Sequence, residues 1–165
     1  SFEVEIMGVR MSFEQESRAS DREEIQPGSD RPSTVGTGVI VWDGGLAAAK
    51  LLEHGGGPIQ ELGPAAFAGK RCIELGSGCG GCAGLACSLL GTAEVVLTDV
   101  QAVIPVLTRN VHAFKKAVSL QSSKPICPAV SVVELEWGNE KHMSGLTHRF
   151  DFIVGCDLIN SEANA

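Results

Sequence analysis

The stretch Arg71-Cys-Ile-Glu-Leu-Gly-Ser-Gly-Cys-Gly-Gly-Cys-Ala-Gly84 constrains the fold of this chain more than any other. Cys72, Ile73 and Leu75 make a short apolar strand. Gly76, Gly78, Gly80 and Gly81 then allow a sharp turn and a close approach of ligand to bare backbone. Cys82 to Leu90 reads as a helix whose unpaired N–H groups point back at the turn. A strand, a glycine turn and a helix N-terminus in that order make a nucleotide-type cradle.

The chain keeps alternating after this unit. Strand 94–98 leads to Asp99. A helix over 102–117 carries Val103, Val106, Leu107, Asn110, Val111 and Phe114, with Pro105 in its first turn, where an N–H is dispensable. Strand 130–136 leads to Trp137, and strand 150–156 leads to Asp157. Strands separated by helical patterns imply right-handed βαβ units and a doubly wound parallel sheet, an α/β fold.

The segment upstream is of another kind. Residues 2–13 alternate apolar and polar around Gly8, as a hairpin or edge strand pair does. Residues 14–34 are polar and hold Pro27-Gly28 and Arg31-Pro32, which marks a loop. Thr37 to Val41 reads as extended. Asp43 is placed to cap a helix from Gly44 to about Glu53, ended by Gly55-Gly56-Gly57-Pro58. A second short helical stretch reaches Gly69. Residues 1–34 thus form a hairpin with a polar loop, and residues 35–165 form the ligand-binding domain.

Length and charge narrow the partners. A chain of 165 residues is one domain with a sizeable core. Its net charge of −7 comes without any Lys/Arg cluster, so a nucleic-acid partner gains no electrostatic support. No apolar run is long enough to span a membrane. Six cysteines without a signal core read as reduced and intracellular.

The turn Gly76-Ser-Gly-Cys-Gly-Gly81 fits G-x-G-x-x-G, a weak signal alone. Asp99 strengthens it: an acid at the end of the next strand can accept hydrogen bonds from two ribose hydroxyls. Glu74 bears on the kind of nucleoside. A carboxylate there repels a pyrophosphate but can engage the cationic amino-acid end of S-adenosylmethionine. The other reading of Glu74 is a solvated strand-end acid. Trp42 and Trp137 either flank an adenine or pack in the core. Asp157 either faces a substrate amine or caps a helix. Asn110 and His112 read as packing or surface residues. Cys79-Gly-Gly-Cys82 has no partner pair for zinc and reads as small filling of the turn.

Taken in order, Val39-Ile-Val-Trp42-Asp, Gly69-Lys-Arg-Cys-Ile-Glu-Leu-Gly-Ser-Gly-Cys-Gly81, Val95-Val-Leu-Thr-Asp99, Asn110-Val, Leu135-Glu-Trp-Gly138 and Phe150-Asp-Phe-Ile-Val-Gly-Cys-Asp157 resemble the methyltransferase-like protein-lysine methyltransferases. These form part of the seven-β-strand class that uses S-adenosylmethionine. The resemblance covers roughly residues 35 to 158. It implies a Rossmann-like sheet of the class I methyltransferase type, incomplete after the fourth core strand. Glu74, Gly76 and Gly78 would line the methionine end of the cofactor, Asp99 would bind the ribose, and Trp137 would flank the adenine. Trp42 would cover the cofactor from the N-terminal side, and Gly155 with Cys156 would touch it at the end of the fourth strand. Asp157 matches the acid of the family's Asp-x-x-Tyr signature near the lysine channel, as the catalytic candidate.

The partner implied is a protein lysine, and the place is the cytoplasm, with the nucleus as an alternative. Asn160 stands at the tyrosine position, and the chain has no tyrosine. The family's later strands have no counterpart. The fourth strand is therefore expected to be a bare apolar edge open to a partner, and an inactive interaction protein is the rival reading. An NAD-dependent oxidoreductase is a third.

Overall fold

The structure is a computed structural model and describes residues 1–15, 35–57, 59, 62–121, 129–146 and 149–159. Most of the expected 14–34 loop, Cys127, Asn160 and the 161–165 tail lie outside the described residues.

Residues 2–13 form the expected hairpin. β1 (Phe2–Ile6) and β2 (Val9–Phe13) pair antiparallel, Ile6 opposite Val9. Met7 and Gly8 make the turn at φ +50° and +83°. Two positive φ values give the turn the twist that suits a two-residue hairpin. Ile6, Val9, Met11 and Phe13 are buried in the main core.

The expected extended run at Thr37–Val41 is not extended. Val35–Gly38 is a helical turn, α1, and a bend follows. Two contacts fold the segment back. The Trp42 indole N–H donates to the Thr37 carbonyl at 2.8 Å, and Cys79 N–H donates to the Gly38 carbonyl at 2.6 Å. α2 spans Asp43–Glu53. Asp43 lies in its first turn, not at the cap. The cap position is Trp42, whose side chain makes no capping bond. α3 (Pro64–Phe67) precedes the sheet, and Phe67 stacks on Phe152 with ring centroids 4.4 Å apart.

Four strands follow with helices between them: β3 (Arg71–Leu75), α4 (Cys82–Ser88), β4 (Glu94–Asp99), α5 (Ile104–Gln121), β5 (Ala129–Glu134), α6 (Glu140–Ser144) and β6 (Phe152–Gly155). All pairings are parallel, in the order β5-β4-β3-β6. Boundaries differ from expectation by a few residues at helix and strand ends, where chain ends fray. α5 buries Val106, Leu107, Asn110, Val111, Phe114 and Val118, a stripe at helical spacing.

The order fixes the site. β4 and β5 extend from one side of β3, and β6 pairs on the other side, so the winding reverses between β3 and β6. A crevice opens where the winding reverses, beyond the carboxyl ends of the strands. Leu75 stands opposite Gly155 there, directly before the glycine turn.

Candidate functional site

The cleft at this switch point is built by three segments. The glycine turn supplies Gly76, Ser77, Gly78, Gly80, Gly81 and Cys82. Glu74 contributes from β3. Ile40, Val41, Trp42 and Gly45 come from the segment around the start of α2, and Cys156 and Asp157 follow β6. It is an open cleft of about 340 Å³, its mouth included.

The turn is packed so closely that side chains would not fit. Gly76, Gly78 and Gly81 have φ values of +58°, +56° and +54°. A Cβ on Gly76 would sit 2.7 Å from Leu158 and 3.4 Å from the Trp137 ring. The glycines are therefore required by the protein's own packing, which leaves no room for a side chain at the turn. Ser77 locks the turn to β4: its N–H donates to the Thr98 carbonyl at 2.9 Å, and its Oγ accepts from Thr98 N–H at 3.1 Å.

Carboxylates at or just past the ends of three strands hold backbone N–H groups around the cleft. Glu74 Oε2, at the end of β3, accepts from Gly84 N–H at 3.1 Å, in the first turn of α4. Asp99 Oδ2, at the end of β4, accepts from Gly78 N–H at 2.7 Å, and its Oδ1 accepts from Val100 N–H at 2.8 Å. Asp157 Oδ2, just past β6, accepts from Gly44 N–H at 2.8 Å, in the first turn of α2. Each acid meets the positive end of a helix or a turn amide, where negative charge is favoured.

Glu74 is not the solvated acid of the alternative reading. It is 3% exposed. Burial raises its carboxyl from 4.5 to about 7, against the opposing pull of the Gly84 N–H. Asp99 is also raised, chiefly by burial. Since Glu74 takes an α4 N–H and Asp99 takes that of Gly78, these donors are not free for a pyrophosphate. The expectation of open α4 N–H groups aimed at a ligand is corrected at Gly84, whose N–H is taken by Glu74.

Among the expected site residues, Trp42, Glu74, Gly76, Gly78, Cys156 and Asp157 line one cleft. Asp99 stands behind Gly78, Trp137 lies against Gly76, and Gly155 closes the sheet opposite Leu75. Both tryptophans are well exposed, Trp42 at 43% and Trp137 at 46%, so neither is a core residue. Asn110 is a buried structural hub. Its Nδ2 donates to the carbonyls of Glu14 and Cys79 at 2.9 and 2.8 Å, and its Oδ1 accepts from Glu14 N–H at 2.7 Å. Cys79 and Cys82 are buried beneath the turn. Burial pushes the Cys82 thiol well above its usual range, which suppresses the reactive thiolate.

The sequence reading missed Leu158. Its side chain covers both Gly76 and Gly155, and a Cβ on Gly155 would come within 2.6 Å of it. The only hint was two glycines at the ends of neighbouring strands.

A family model described as lysine methyltransferase matches residues 22–164. The chain belongs to this lysine methyltransferase family. It is 33% identical over 128 residues to the protein N-lysine methyltransferase METTL21A of Danio rerio, covering 78% of this chain and 50% of that protein. It is 31% identical over 127 residues to the EEF1A lysine methyltransferase 3 of Xenopus tropicalis, covering 77% and 47%. A shorter match, 36% over 95 residues, joins it to the calmodulin-lysine N-methyltransferase of Arabidopsis thaliana, covering 57% and 29%. The chain thus spans about half the length of the first two relatives. The parallel sheet and its switch point suit the Rossmann-like architecture of a class I methyltransferase. No helix among the described residues is long and apolar enough to cross a membrane.

Proposed function

We propose that this chain carries the S-adenosylmethionine-binding part of a protein-lysine N-methyltransferase. The observation that carries this reading is the buried Glu74 carboxylate, set in the wall of a glycine-lined cleft with Asp99 beside it. A cationic amino-acid end suits that wall, and a pyrophosphate does not. Gly76 and Gly78 offer backbone to the methionine portion, and Cys156 lines the same cleft from the end of β6, while Leu158 covers Gly155. Asp99 keeps unshared lone pairs on both carboxylate oxygens for ribose hydroxyls. Trp137, exposed against Gly76, offers an indole face to the adenine, and Trp42 lines the cleft from the start of α2.

When bound, S-adenosylmethionine supplies a methyl group that passes in line from sulfonium to the neutral amine of a lysine. This chain's residues hold and align the donor. A protein substrate fits the relatives, which are named as lysine methyltransferases of EEF1A and of calmodulin. Cys72, Cys79, Cys82, Cys87 and Cys156 form no disulfide among the described residues, which suits a reducing compartment, cytoplasm or nucleus.

Calorimetry with S-adenosylhomocysteine tests the reading. Saturable heat is expected for the native chain, and a loss of affinity of about tenfold or more for Asp99→Ala, equal to about 1.4 kcal/mol. A folded chain that gives no heat with S-adenosylhomocysteine or S-adenosylmethionine refutes it. The second reading is a non-catalytic protein that binds a partner at its sheet edge. It is favoured by one observation, Ile153 on β6, which is 68% exposed. Transfer of labelled methyl to lysine in a cell lysate separates the two readings.

A further inference from the structure

Asp157 stands out among the three acids around the cleft. It is one of two described non-glycine residues with a positive φ, at +55°. That backbone is strained for an aspartate, and such strain persists only where surrounding contacts hold it. Its carboxylate reaches across 113 positions in sequence to Gly44 N–H at 2.8 Å. α2 needs such a partner, because Trp42 occupies its cap position without supplying a side-chain acceptor.

The fit is tight. A Cβ on Gly44 would collide with Asp157 Oδ2 and stand 2.7 Å from its Cγ. Gly44 is therefore a residue without a side chain where the carboxylate seats. The bond joins the segment after β6 to the segment that bears Trp42 and Gly45, and both segments line the cleft.

We propose that Asp157 is a positioning residue that acts through α2. Its carboxylate oxygen caps the helix and holds the Trp42 wall against the end of β6, and proton transfer is not its task. The role needs an acceptor oxygen at that point, so an amide oxygen can serve in its place. The inference leans on the cofactor reading only for the consequence on affinity; the cap itself is read without any cofactor.

The test uses the full chain and two measurements. Amide exchange by NMR reads the Gly44 N–H directly, and calorimetry reads the affinity for S-adenosylhomocysteine. Asp157→Ala is expected to speed Gly44 exchange at least tenfold and to weaken binding about tenfold. Asp157→Asn is expected to rescue both, each within about threefold of the native chain. Gly44→Ala should reproduce the Asp157→Ala losses, although alanine favours a helix over glycine. In the Asp157→Ala background it should add less than twofold.

Unchanged Gly44 exchange in Asp157→Ala overturns the proposal. So does an Asp157→Asn variant that falls as far as Asp157→Ala, because charge or proton transfer would then be the need. Should Asp157→Ala not fold, Gly44→Ala decides alone: faster exchange over residues 43–46 supports the cap, and native exchange overturns it. If the native chain binds no S-adenosylhomocysteine while the exchange results hold, the cap stands and the cofactor reading falls.

Discussion

Glu74 faces two ways, toward the first turn of α4 and toward the cleft, and burial penalises its charge. A carboxyl raised from 4.5 to about 7 makes folding pH-dependent. Between those values the folded chain holds a proton that the unfolded chain has released. The stabilisation is fully present below 4.5 and is lost as pH rises through 7, about 3 kcal/mol in all. Glu74→Gln keeps an acceptor for Gly84 and removes the titration. Urea unfolding at pH 5 and pH 8 should show a stability drop in the native chain that Glu74→Gln largely lacks. Cofactor affinity should run the opposite way. A cationic amine needs the carboxylate, so affinity for S-adenosylhomocysteine should rise as pH passes 7, with proton release. Calorimetry in buffers of different ionisation enthalpy reads that release, and Glu74→Gln should abolish it. Asn110 makes the contrasting case of a polar residue spent on structure. Asn110→Ala would remove the acceptor of the Glu14 amide and the donor shared by the Glu14 and Cys79 carbonyls. A loss of about 3 kcal/mol in urea unfolding is expected, and the glycine turn would loosen because Cys79 sits inside it.

The sequence was most readable where one element carries its own pattern. The hairpin announced itself by alternation, α5 by its apolar spacing, and the βαβ units by strands separated by helical patterns. It misled at Thr37–Val41. An apolar β-branched run reads as a strand, but its shape is set by the glycine turn and the Trp42 indole, which are distant or side-chain partners. The capping of α2 was illegible for a similar reason. Asp43 is the nearby acid, yet the bond is made by Asp157, and no local rule links positions 113 apart. The fit of α4 against the sheet was also hidden. Gly84 lies where a Cβ would overlap Leu97 and approach Glu74 Oε2 to 2.8 Å. Helix propensity alone favours alanine there. Overpacking should win instead: Gly84→Ala is expected to destabilise the chain by about 1–3 kcal/mol in thermal or urea unfolding. A gain in stability would show that α4 can lift from β3 without cost.

The whole molecule places its site by topology. β3 sits between β4 and β6, and the acids from those strands converge only because the winding reverses beside β3. Parallel strands followed from the alternation of elements, but the seat of β6 next to β3 did not, because it depends on a crossover over the opposite face. The same seat leaves β6 at the end of the described sheet. Its far edge has no strand partner among the described residues, and Ile153 is 68% exposed on one face of this edge strand. An apolar strand with unpaired N–H and C=O groups is a template for pairing with another chain. The described chain should therefore associate with itself as concentration rises, which sedimentation velocity will register as a growing mass. Ile153→Lys places a charge on the edge and should shift that association to higher concentration. Ile153 is not among the residues that line the cleft, so affinity for S-adenosylhomocysteine should stay within about twofold. If the substitution left the association as it was, the self-pairing surface would have to lie elsewhere than β6.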